Sequence, residues 1–340
     1  MIGVAPGFDS PTLEAAQVGP NVDYRRVPMP RRVHHVIELI GLDPNVDPWT
    51  GRVDAALGNA FIPPKSRRAA SLPVIYDLSV VKHPEMHPKQ RIAYVAGQLS
   101  RVMSRTTVVV TISESVRQEI VEHYKIPLER IVLAPPSWQP ATFPYSNGSA
   151  PRIDIPKDYF LFVGTVEPRK NILGLLTAIE GLRARRPDAP RLLLVGGEGW
   201  GSAVFGERLK SAIASGAVLR PGYVPDDQME SLYQGAIGLV YPSLYEGFGM
   251  PIIEAMAAGC PVITSDVSAT AEAAQDAAVL ISPTDHEQLE HAMERLMDDA
   301  ALRDSLRNKG LLRSKDFTWE HTAAKLKEAI DLAVSIKGRG

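Results

Sequence analysis

Beyond residue 150, six short apolar runs alternate with helical patterns, and that alternation leaves few folds open to the chain. The runs lie at 159–163, 191–195, 217–219, 237–241, 261–264 and 278–281. Each is strand-length, and the stretches between them are long enough to be crossover helices. A parallel, doubly wound α/β sheet is the reading this pattern predicts. Before residue 150 the signal is sparser, with strands expected at 72–76 and 107–112 and helices at 88–103 and 113–124. Ser113 is a good N-cap for the last of these, followed by Glu114 in the first turn. Pro135, Pro136, Pro140, Pro144 and Pro151, with Asn147, Gly148 and Ser149 among them, punctuate a linker. The expected units are therefore a first domain over 1–150, a second over 151–318, and a final helix within 319–340.

Length and composition fit a two-domain globular enzyme. At 340 residues, 45% hydrophobic and 22% charged, the chain can bury two cores. A formal net charge of −2 argues against a general nucleic-acid binder, so no nucleic-acid partner is expected. Cys260 alone cannot form an internal disulfide, which is compatible with the cytosol, and its place beside an apolar strand suits packing. There is no apolar run of membrane-spanning length, which leaves peripheral contact with the inner membrane face open. Residues 1–150 carry 16 Lys and Arg against 13 Asp and Glu, with Arg25, Arg26, Arg31, Arg32, Arg67 and Arg68 prominent. That excess suits an anionic acceptor or membrane surface, and a solvated face is its commoner meaning.

The loop after 237–241 is the richest in chemistry. EGFGMPIIE at 246–254 places seven residues between two carboxylates, around a glycine-punctuated turn. Pro251 fits a helix start, where a missing N–H is harmless, and Gly259 fits the helix end. Glu246 then lies in a loop at the carboxyl end of a strand, and Glu254 in the first turn of the next helix. Gly247 and Gly249 allow close approach of backbone to a ligand, and a helix N-terminus behind them favours anions. The set suits a phosphorylated polyol; a catalytic acid/base pair is the rival reading. Arg169 and Lys170 stand after another strand and supply the positive charge a departing phosphate needs. Solvated loop charges are the alternative there.

EGFGMPIIE resembles the E-x7-E motif of retaining family-4 glycosyltransferases of the GT-B fold. The likeness extends, in that family's order, through VGTVEPRKN at 163–171, GYVPDD at 222–227, YPSLY at 241–245, EAMAAG at 254–259 and FTWE at 317–320. It implies two Rossmann-like domains facing a cleft, with the final helix crossing back to the first. It also implies that Glu254 binds the donor ribose and that Glu246 meets the donor sugar near the reacting centre. Lys170, with Arg169, would hold the diphosphate beside Gly164 and Thr165; the family often has arginine where Thr165 stands. Backbone N–H groups of Phe248, Gly249 and Met250 would hold sugar hydroxyls or phosphate, and Tyr223 and Val224 would line the nucleobase. Ordinary packing is the alternative for that last pair, and the glycines at 196–199 are weak evidence alone. The leaving phosphate would help deprotonate the acceptor, so Glu246 is not assigned as a nucleophile.

The likeness weakens before residue 150. Where the family commonly has His-Asp, this chain has Tyr76-Asp77, and tyrosine can donate a hydrogen bond but cannot become cationic. The chain opens on MIGVAPG, which resembles a later strand, so the family's opening strand and glycine-rich loop are expected to be missing. His83 and His87 have zinc-like spacing, but Pro84 and Pro88 discourage the helix it needs, and no metal site is expected. The expected activity is retaining transfer of a sugar, with mannose from GDP-mannose first, from a nucleotide-sugar donor to a glycan or lipid-linked acceptor. It would need no metal or other cofactor. The rivals are a non-catalytic, nucleotide-sugar-binding protein and a sugar-nucleotide epimerase of the same two-domain plan.

Overall fold

The computed structural model describes residues 2–6, 23–27, 45–58, 62–138 and 155–338. Arg31, Arg32, Pro140, Pro144, Pro151 and the turn at 147–149 lie outside the described residues, as does the expected division near 150.

In the first part, β1 (Ile2–Pro6) and β2 (Asp23–Val27) pair in parallel as a separate two-stranded sheet. Then follow α1 (Asp47–Thr50), β3 (Ala55–Gly58), β4 (Ala70–Ile75), α2 (Ser79–Lys82) and α3 (Lys89–Arg105). After them come β5 (Val109–Thr111), α4 (Glu114–Tyr124) and β6 (Ile131–Leu133). Strands β3, β4, β5 and β6 form an all-parallel sheet in that order. Ser113 caps α4 as expected, its Oγ accepting the Val116 N–H at 3.2 Å. β3 and β6, four and three residues long, were not among the expected strands; β5 is as short but lies in the longer apolar run 108–112.

The second part runs β7 (Tyr159–Val163), α5 (Ile172–Arg185), β8 (Arg191–Val195), α6 (Ser202–Ala214), β9 (Val218–Gly222) and α7 (Asp226–Gly235). It continues through β10 (Gly238–Tyr241), α8 (Met250–Ala257), β11 (Val262–Ser265), α9 (Ser268–Ala274) and β12 (Val279–Ile281). Helices α10 (His286–Asp298), α11 (Ala300–Arg313) and α12 (Trp319–Lys337) complete the chain. Its parallel sheet has the order β12-β11-β10-β7-β8-β9, the dinucleotide-fold order in which the chain reverses direction between its first and fourth strands. All six expected strands are present, β7 and β8 to the residue and the other four with ends shifted by one to three residues. The central strands β7 and β10 are almost wholly buried because helices cover both faces, whereas β9, at the sheet edge, carries Arg220. Cys260 is buried in that core, and burial pushes its thiol up to about 12. Among the described residues, no helix is long and apolar enough to cross a membrane.

Helix α12 packs on the first sheet. Leu326, Ala329, Ile330 and Ala333 share one face at helical spacing and pack against Leu72, Val74, Val110 and Val132. Its start is tied to the chain leaving β6: Thr322 Oγ1 donates to the Pro135 carbonyl at 2.6 Å, and Ser137 Oγ to that of Phe317 at 2.7 Å. Alanine at 329 lets the helix sit close on the sheet. Ala329→Leu should therefore overpack the contact and lower stability by about 1–3 kcal/mol in chemical denaturation. An unchanged unfolding midpoint would show that α12 does not depend on this packing.

Candidate active site

Ligands in open α/β sheets bind where neighbouring loops part, at the carboxyl ends of the strands on either side of the reversal. Here those strands are β7 and β10, and the loops after them carry Lys170 and Glu246. After β7 the chain makes a 3-10 turn over Pro168–Lys170 and ends it at Asn171, whose φ is +57°. Asn171 tolerates that conformation and its side chain works twice. Its Oδ1 accepts the Gly174 N–H at 3.2 Å to start α5, and its Nδ2 donates to the carbonyls of Pro242 at 3.1 Å and Pro283 at 2.6 Å. The β7 loop is thereby fastened to the loop that carries Glu246.

The expected cations and the first glutamate meet directly. Lys170 Nζ donates to Glu246 Oε1 at 2.5 Å, and Arg169 Nη1 to Glu246 Oε2 at 2.5 Å. Tyr241, at the end of β10, donates its hydroxyl to Glu246 Oε1 at 2.9 Å and also receives a hydrogen bond from Lys170. Arg169 Nε pairs with Glu167 Oε1 at 2.5 Å, so Arg169 lies between two carboxylates. Burial would raise the Glu246 carboxyl, but Lys170 and Arg169 outweigh it and hold the group down at about 2. Burial opposes the Arg169 guanidinium, but Glu246 and Glu167 hold it above the ordinary arginine range. Burial raises Glu167 despite Arg169.

Glu254 sits apart from this cluster. It is the fifth residue of α8, just past the first turn where it was expected, because the helix begins at Met250, one residue before Pro251. Tyr233 donates its hydroxyl to Glu254 Oε2 at 2.7 Å, while burial raises the carboxyl. Glu254 lines a cavity of about 320 Å³ together with Trp138, Asp226, Asp227, Met229 and Tyr233. Gly249, with φ of +99°, precedes α8, and no side chain caps that helix. Phe248 is buried edge-on against Phe317 at 5.3 Å, so this residue offers its backbone rather than its ring. Met250 is half-buried at the first position of α8. Tyr223 and Val224 diverge: Tyr223 is 73% exposed, whereas the Val224 side chain is part of the core. Thr165 is exposed, and Gly164 approaches Gly196 so closely that a Cβ on Gly196 would lie 2.0 Å from the Gly164 carbonyl.

Several site neighbours escaped the sequence reading. Glu167 and Tyr241 lay inside recognised segments without a role, because nothing in the sequence says that their side chains turn inward. Others cross between domains. Tyr245 donates to Glu119 Oε2 at 2.6 Å, and both Glu272 carboxylate oxygens cap α4, accepting from Glu114 N–H at 2.8 Å and Ser115 N–H at 3.1 Å. Trp200 Nε1 donates to the Met86 carbonyl at 2.7 Å, with Arg91 over its ring. His87 packs on the same tryptophan; burial lowers its pKa, and among the described residues neither ring nitrogen has a partner.

Residues 149–313 match the family of glycosyl transferases group 1. The O-antigen chain mannosyltransferase B of Escherichia coli is 33% identical over 284 residues, covering 81% of this chain and 73% of that protein. The larger serotype-specific mannosyltransferase WbdA of Escherichia coli is 28% identical over 234 residues, 64% of this chain but 28% of its own length. Among solved structures, WaaG, a glycosyltransferase involved in lipopolysaccharide biosynthesis, superposes with a TM-score of 0.69 at 17% identity. That match covers 98% of this chain and 99% of WaaG, and with the parallel sheets it establishes the GT-B fold of two Rossmann-like domains.

The clamp on Glu246 has a pH signature. Its folded pKa, about 2, lies below the ordinary 4.5, so its stabilisation is complete above 4.5 and is lost as pH falls toward 2. The difference is worth roughly 3 kcal/mol at neutral pH. Wild type should thus be more stable than Glu246→Gln at pH 7, and the gap should narrow below pH 4.5. Denaturation of both proteins from pH 7 to about 3 checks this; a constant gap would contradict the ion cluster.

Proposed function

The chain belongs to the glycosyl transferases group 1 family and is a glycosyltransferase; we propose that it moves mannose from GDP-mannose, with retention, to a glycan or lipid-linked acceptor. The observation that carries the mannosyl reading is its likeness to the O-antigen chain mannosyltransferase. In this reading the donor diphosphate lies at the loops after β7 and β10, against Lys170, Arg169 and the uncapped start of α8. The ribose hydroxyls reach Glu254. The bond from the sugar's anomeric carbon to the β-phosphate oxygen breaks, and the acceptor oxygen bonds to that carbon from the same face. The acceptor proton passes to the departing phosphate, and GDP leaves. Lys170 and Arg169 stabilise the charge that develops on the phosphate. Glu246 orients the hexose; with both oxygens held by cations it is a poor nucleophile and a poor proton carrier. That also weighs against an epimerase, which needs an acid/base pair able to exchange protons. We place the reaction on the cytoplasmic side, with peripheral contact at the inner membrane face for a lipid-linked acceptor.

Lys170→Ala and Glu254→Ala should each weaken GDP binding about ten- to a hundred-fold, the worth of one charge-assisted hydrogen bond. Calorimetry with GDP, UDP and dTDP ranks the nucleotides in the same experiment. Unchanged GDP affinity in both folded variants would remove the donor-site reading, and a preference for UDP or dTDP would remove GDP-mannose.

If Lys170 and Arg169 meet the developing phosphate charge as proposed, transfer should continue in excess chelator. A strict requirement for magnesium or manganese in the turnover assay would overturn that mechanism.

A further inference from the structure

We propose that Glu119, on α4 of the first domain, is a positioning residue for the transfer step, acting on Glu246 through Tyr245. Tyr245 immediately precedes Glu246 and is only 3% exposed. Its hydroxyl donates to Glu119 Oε2 at 2.6 Å and accepts the Leu78 N–H at 3.2 Å. The His83 ring lies 5.0 Å away, closing the pocket from the same domain. The Tyr245 side chain is therefore held by the first domain, while the backbone around it is held by the second. Leu244 N–H donates to the Arg169 carbonyl at 2.8 Å, and Arg169 Nη1 reaches the Tyr245 carbonyl at 3.4 Å. On the far side of Glu246, Gly247 lies against Tyr76; a Cβ there would fall 1.9 Å from the Tyr76 carbonyl oxygen.

Residues 244–247 are thus clamped between the domains, and Glu246 is the side chain inside the clamp, engaged with Lys170 and Arg169. A hydroxyl donating to a carboxylate makes a stronger and better directed bond than one between neutral groups. Removing Glu119 leaves the buried Tyr245 hydroxyl without its acceptor, so the ring must shift to find another, and the adjoining peptide shifts with it. A displacement well under 1 Å at Glu246 is small enough for the Lys170 and Arg169 side chains to follow, so the nucleotide's contacts with the second domain are largely kept. It still disturbs alignment of the hexose, to which rate is far more sensitive than binding.

The test compares Glu119→Ala, Glu119→Gln and Tyr245→Phe with wild type, in the full chain, for kcat, donor KM and GDP affinity. Glu119→Ala should lower kcat at least ten-fold while the GDP dissociation constant stays within about two-fold, and Glu119→Gln, which keeps an acceptor oxygen, should recover much of the loss. Tyr245→Phe should lower kcat similarly, and adding Glu119→Ala to it should lower kcat little further, because both break one contact. Wild-type kcat in Glu119→Ala, multiplicative losses in the double variant, or a fall in GDP affinity matching the fall in kcat would each overturn the proposal. The assay rests on the donor reading above, and the two fail separately. Turnover of a nucleotide sugar other than GDP-mannose would overturn that donor and leave the Glu119 comparison standing.

Discussion

The buried ion cluster of Glu167, Arg169, Lys170 and Glu246 is the interaction on which the site depends. Burying any one of these charges alone would be prohibitive, and each is tolerated because opposite charges lie at hydrogen-bond distance. The desolvation involved makes the cluster a weak source of net stability but a strong source of specificity. Removing one partner strands the others, at a typical loss of about 3–5 kcal/mol. It therefore fixes two loops from different parts of the sequence in one arrangement. The loop after β7 cannot move without taking Glu246 from its cations, and Asn171 adds a neutral tie between the same loops. The parallel sheet makes this possible by setting β7 beside β10 at the point where the chain reverses.

Contact between the domains is built differently. Close backbone approach at Gly247 is combined with a few directed polar contacts: Tyr245 to Glu119, Glu272 to the start of α4, and Trp200 to the Met86 carbonyl. The Glu272 carboxylate sits where the α4 dipole favours negative charge. Polar contacts of this kind can be exchanged for water at modest loss, unlike a continuous apolar interface. The permanent link is instead α12, whose apolar face stays on the first sheet while its amino end follows directly from the second domain. The molecule thus joins its domains by apolar packing at α12 and by polar contacts near the site.

The second domain was legible in the sequence because its central strands are buried on both faces and read as apolar runs. Tyr159–Val163 and Arg191–Val195 coincide with expectation to the residue. In the first domain β3 and β6 were not among the expected strands, and pairing by neighbours rather than local pattern defines them. For the site, the glutamates, Lys170 and Arg169 were legible from motif spacing, but their mutual engagement was not. Sequence spacing placed Arg169 beside Lys170 as a second cation; only tertiary packing shows it between two carboxylates. Glu119 and Glu272 were invisible for a simpler reason. Their partners lie 126 and about 158 residues away, and nothing local distinguishes them from solvated helix glutamates.

The distribution of charge also constrains how a nucleoside diphosphate could lie. The cavity beside Glu254 is lined by Asp226, Asp227 and Glu230 as well, with no cation lining it among the described residues. Phosphate oxygens are repelled from such a wall, whereas hydroxyls and N–H groups can donate to it. At the loops after β7 and β10 the two carboxylates are matched by two cations, and the uncapped start of α8 adds partial positive charge. The electrostatic gradient therefore runs from the Glu254 cavity toward the reversal point. A nucleoside fits with its hydroxyls in the acidic cavity and its phosphates at the cations, and the opposite orientation sets anion against anion. In the donor reading proposed above, that polarity would bring the end of the diphosphate beside Glu246, the residue held jointly by cations from its own domain and, through Tyr245, by the other.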